Sequence, residues 1–131
     1  MISASGAVGN GAVNDDEWMV ALESINDYLI MQPNDVHALN TAGLIYLHGF
    51  QMLEKAEHYF RTGSAKSEGN VIVLLNLFDT AIWMKDLPKA DLLKEKIDDA
   101  LAKARLLFSE SKMSEIQGYY DFLVAKVTFS V

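Results

Sequence analysis

The sequence predicts an all-α fold of paired helices, on three observations. Apolar residues recur at helical spacing through six separate segments. Capping and breaking residues stand between those segments. Three alanines, Ala21, Ala56 and Ala90, return at intervals of about 34 residues, each opening a stripe on its helix, which marks a repeated helix pair.

The segments follow in order. The opening, Met1 to Asn14, carries Gly6, Gly9 and Gly11 among small residues and predicts a flexible glycine-rich tail over 1–14, ahead of a single helical domain over 15–131. Asn14, Asp15 and Asp16 offer a cap and an acidic first turn for a helix over Asp15–Gln32. Pro33-Asn34-Asp35 ends it and caps the next, Asp35–His48. His48-Gly49-Phe50 reads as a tight break before Gln51–Lys66. Gly69 and Asn70 supply a C-terminal glycine and a new cap for Asn70–Lys85. Asp86-Leu87-Pro88 turns the chain into Pro88–Phe108, with Leu93, Ile97, Ala100, Leu101, Ala104 and Phe108 on one stripe. Ser109 to Ser114 reads as a polar loop. Ser114 and Gln117 are spaced as a capping box for a last helix, Ser114–Phe129. Its tail alternates in a strand-like way, but no second strand exists to pair with it, so helix is expected.

In the second and third segments Gly43, Tyr46, Ala56, Phe60 and Gly63 form a pattern of small and aromatic residues, and Pro33 closes the first repeat. By this pattern, between Asp15 and Phe108, the chain resembles the tetratricopeptide repeat (TPR) family. It departs from the family where Phe78 replaces a small residue, where Lys94 replaces an aromatic one, and where the loop after Tyr46 runs one residue long. The resemblance implies a TPR-like superhelix: a right-handed stack of antiparallel helix pairs, about two and a half repeats, with a C-terminal helix packed on it. Gly43 sits inside a continuous apolar run. Its expected role is close approach of the partner helix, with Ala56 opposite and Tyr46 and Phe60 filling the space around.

Charge narrows the functional classes. The net charge is −7, and the first basic residue is Lys55, so the whole imbalance lies in the first 54 residues. That disfavours phosphate backbones and anionic lipid, and excludes nucleic acid and membrane as expected partners. An acidic amino half welcomes a basic partner or serves solubility alone. The chain has no cysteine, and His37, His48 and His58 share no ligand spacing, so no metal, cofactor or catalytic residue is expected. No stretch approaches the length of a membrane span, and the expected location is the cytoplasm.

The family's ligand-facing positions fall on His37, Asn40, Leu44 and Leu47, then Ile72, Leu75, Asp79 and Ile82. The resemblance makes these a concave partner-binding groove. Val71–Leu75 and Leu77–Phe78 are apolar on nearly every side, so something must cover that groove. Three occupants stand open: an apolar helix or strand of a protein partner, the chain's own C-terminal helix, or a second copy in a homodimer. The expected function is a non-catalytic interaction module, a small chaperone or adaptor. In size, acidity and repeat number it resembles the TPR-type chaperones of bacterial type III secretion. The alternative is a scaffold or self-associating subunit whose groove its own tail or a second copy fills.

Overall fold

A computed structural model describes residues 15–130 as six α-helices, with no strand among the described residues. The expected tail over 1–14, with the Asn14 cap, and Val131 lie outside the described residues. The helices are α1 (Asp15–Met31), α2 (Val36–Leu44), α3 (Leu53–Lys66), α4 (Val71–Trp83), α5 (Leu87–Ala104) and α6 (Glu110–Ser130).

The caps act where short polar side chains precede apolar runs. Asp35 Oδ1 accepts the Ala38 N–H at 3.1 Å, and its Oδ2 accepts the Tyr28 hydroxyl at 2.6 Å, so one carboxylate both starts α2 and ties it to α1. The Tyr28 hydrogen bond and then the Ala38 N–H hold the Asp35 carboxyl below its ordinary pKa; the same bond raises Tyr28. Asn70 Oδ1 accepts from the N–H groups of Ile72 and Val73 to open α4. Asp86 Oδ1 accepts the Lys89 N–H to open α5, with Pro88 in its first turn. Gly69 turns the chain between α3 and α4 at φ +85°.

Three expected boundaries are corrected. His48-Gly49-Phe50 is no break: α2 runs on into a π-helical turn, Ile45–Phe50, and stops at Gln51, whose φ is +51°. This turn is wider than an α-helical one by one residue. Ser109–Ser114 is not a loop. Ser109 Oγ accepts the Lys112 N–H at 3.2 Å and caps α6, which begins before Ser114 and so buries Met113 and Ile116. The α5 stripe does not reach Phe108. The helix ends at Ala104, leaving Leu106 and Leu107 88% and 80% exposed in the connection.

From α1 to α5, helices adjacent in sequence pack together, while α6 packs on α4. Gly43 lies against Phe60 and Leu39 against Gly63, an antiparallel register between α2 and α3. Polar side chains join alternate helices: Asn76 on α4 donates to Asn40 on α2, and Lys89 on α5 pairs with Glu57 on α3. Helix α4 is the axis of the core. Every residue from Val73 to Ile82 is buried, and around them Phe60, Ile97 and Leu123 are fully buried. Helix α1 is the opposite case and buries no residue completely. Its Trp18 ring rests on Gly49 of the π turn, and Leu22 meets the core edge.

The mid-helix glycine is explained by an aromatic ring. A Cβ on Gly43 would stand 2.6 and 2.7 Å from Cδ1 and Cζ of Phe60, which is itself fully buried and cannot yield. Gly63 differs: a Cβ there meets Leu39 and Val73 at 3.6 Å, ordinary contact. Gly43→Ala is therefore expected to destabilise the fold by ~1–3 kcal/mol through overpacking. Gly63→Ala should be neutral or stabilise by up to ~1 kcal/mol through helix propensity. Urea midpoints of the two variants check both, and equal midpoints would place the close contact elsewhere.

Candidate protein-interaction surface

The site is built on α4, an apolar helix that carries three buried polar residues, Asn76, Asp79 and Thr80. Buried polar groups must find partners. Thr80 satisfies itself locally, donating its hydroxyl to the Asn76 carbonyl at 2.8 Å. Asn76 reaches in two directions. Its Nδ2 donates to Asn40 Oδ1 at 2.8 Å, and its Oδ1 accepts the Tyr119 hydroxyl from α6 at 3.0 Å. Asp79 accepts from Lys126 Nζ, also on α6, at 2.8 Å. Helix α6 thus lies along α4 and meets two of its buried polar groups.

The apolar half of the contact comes from the same helix. Ile116, Tyr120 and Leu123 are buried with it, and the Tyr120 and Phe78 rings are 6.0 Å apart. Tyr120 also donates to Asp98 of α5 at 3.1 Å. Burial, then the Asp98 hydrogen bond, pushes the Tyr120 phenol up to about 12. Burial, then the nearby Asp79 charge, pushes Tyr119 up strongly. At the outer edge the Lys126 ammonium stands 5.0 Å from the Trp83 ring and 5.8 Å from the Phe122 ring, both more than half exposed.

The expected groove residues divide in two. Leu47, Leu75, Asp79 and Ile82 are buried within the chain. Asn40, Leu44 and Ile72 are half-buried, and His37 is exposed. Asn40 and Asp79 join the hydrogen-bonded set around α4; His37 does not. Sequence reasoning missed Asn76, Tyr119 and Lys126 as members of that set. The signal that could have found them was two polar residues, Asn76 and Asp79, inside an otherwise apolar helix, and one lysine in a final helix otherwise poor in bases.

His37, His48 and His58 are all exposed. Among the described residues no group of three His, Asp or Glu side chains is placed to hold a metal ion, and no helix is long and apolar enough to cross a membrane. No protein-family model, curated protein or solved structure matches the chain.

Two outcomes follow from the α4–α6 contact. Lys126→Ala leaves the Asp79 carboxylate buried without its cation. It should cost ~1–3 kcal/mol, less than for a fully buried pair because the Lys126 side chain keeps 27% exposure. The Asp79→Ala, Lys126→Ala double variant should be no less stable than Lys126→Ala alone, and a double-mutant cycle measures this. The second outcome is alkaline release of α6. Both phenols have folded pKa values above the ordinary 10.0. Their contribution is complete below the unfolded value and is lost as pH rises through the folded one, about 12 for Tyr120. Phenolate absorbance should rise together with loss of helix circular dichroism between those values. Tyr119→Phe with Tyr120→Phe should flatten that coupling.

Proposed function

We propose that this chain is a non-catalytic protein–protein interaction module of TPR type that accepts an amphipathic helix along α4. The observation that supports this reading is the lining of α4: a buried amide and a buried carboxylate, Asn76 and Asp79, are each met from α6 by a side chain, Tyr119 and Lys126. Apolar contact alone would hold any greasy helix. The two polar groups select one that carries a donor beside Asn76 and a cation beside Asp79. In the resting chain α6 is that helix.

A partner helix with the same chemistry competes with α6 for α4. The module then works as a small chaperone or adaptor that shields an apolar segment of another protein. The acidic chaperones of type III secretion are the subgroup it resembles, and a cytoplasmic site of action goes with that reading. The alternative is a scaffold in which α6 never leaves. Full burial of Leu123 favours that alternative, since a helix rooted in the core detaches at greater cost.

Hydrogen exchange on the intact chain separates the two. With Lys126→Ala and Tyr119→Phe loosening α6, an excess of a synthetic copy of residues 110–131 should speed exchange across α6 while α4 stays protected. A copy bearing glutamate in place of the lysine should have no effect. Protection of α6 that no peptide concentration alters would assign it permanently to the core and leave the scaffold reading.

A further inference from the structure

The face of α1 turned away from α2 is built differently from the α4 groove. Asp15, Asp16, Glu17, Glu23 and Asp27 stand on this helix, which has no lysine or arginine. At 3.6 residues per turn, Asp16, Glu23 and Asp27 fall within about 40° of one another, on the outer side. Met19 and Ile30 flank that stripe on one side, and Val20 and Met31 on the other. These four apolar side chains are 47%, 77%, 62% and 76% exposed. Acids in the first turn are explained by the helix dipole. Glu23 and Asp27 are not: they lie beyond that turn, and the last turn holds no base to offset them. An acidic stripe bordered on both sides by exposed aliphatic residues is unfavourable for the isolated chain and complementary to one kind of surface.

We infer that the outer face of α1 docks a cationic amphipathic helix of a partner protein, lysine or arginine heads pairing with Asp16, Glu23 and Asp27 while their stems and neighbouring aliphatic residues cover Met19, Val20, Ile30 and Met31. Charge selects this occupant over the others. Residues 1–14 contain no lysine or arginine, so the chain's own amino terminus cannot neutralise the stripe with side chains. A second copy laid α1 against α1 sets carboxylates on carboxylates. This docking face lies on a different helix from the α4 groove and does not depend on α6 moving.

The test uses the full chain and two synthetic amphipathic helices of about 18 residues, long enough to hold helical structure once bound. One carries leucines flanked by lysines; in the other glutamates replace the lysines. The lysine peptide should bind saturably, shift the amide resonances of α1 and leave those of α4 and α6 in place. Its affinity should fall at least about tenfold with Glu23→Lys and Asp27→Lys together, and again with added salt. Met19→Ser with Ile30→Ser should weaken it while the helix content of the free chain stays constant. Equal binding of the glutamate peptide overturns the inference. So does failure of the lysine peptide to bind the intact chain, the result if residues 1–14 or a second copy already cover the face. Shifts confined to α4 and α6 would overturn it too, while supporting the groove reading.

Discussion

Helix α4 imposes the governing constraint. It is apolar on most of its circumference and its few polar residues are buried with the rest, so it must be enclosed on nearly every side. Its neighbours in sequence, α3 and α5, enclose two sides. The Asn40 contact brings α2 to a third. The remaining side carries Asp79, and a buried carboxylate tolerates no purely apolar cover. The last helix closes the structure because it brings a lysine as well as isoleucine, tyrosine and leucine to that side. Coverage of α4 is hydrophobic in strength and electrostatic in choice.

The close approach of α2 and α3 sets the geometry from which this enclosure starts. With hydrogen in place of a side chain at Gly43, the Phe60 ring sits directly against the α2 backbone, and Ala42 and Ala56 around it are fully buried. The π-helical turn then carries the same helix past Leu44 and presents Gly49 to Trp18. A second aromatic-on-glycine contact thus fixes α1 by its first turn, and the Tyr28–Asp35 hydrogen bond fixes its last. Between these anchors α1 is held without being buried, which is why its outer surface can stay apolar in part and acidic in part.

The sequence was legible where the deciding physics is local. Helical periodicity and the caps Asp35 and Asn70 each depend on residues a few positions apart, and the helices begin there. Close approach at Gly43 was legible because a glycine inside an apolar helical run costs helix propensity that only close packing offsets, but the group against it is the Phe60 ring and not the expected Ala56. The π turn was not legible. It needs only a shift of hydrogen-bond register, and Ile45–Phe50 carries no composition that marks one. The end of α5 was overrun because Leu106, Leu107 and Phe108 prolong the apolar pattern after the backbone has turned away. The cover of α4 was legible as a necessity and not as an identity. Tyr119 and Asn76 stand 43 residues apart, and no periodicity links them.

The two ends of the chain treat charge in opposite ways, and that contrast bears on how such a small fold makes contacts. In α6 a single cation is turned inward and answered by Asp79, so the contact is specific and largely removed from solvent. In α1 the acids Asp16, Glu23 and Asp27 are turned outward among exposed aliphatic residues, where salt screens them. Internal pairing suits a contact that must recognise one helix. External, unneutralised charge suits a contact that must be found quickly and released, because long-range attraction raises the rate of encounter more than the final affinity. Of the acids ahead of Lys55, Asp35 serves the fold by capping α2 and holding Tyr28, whereas Glu23 and Asp27 make no such contact and are the ones that docking on α1 assigns to association.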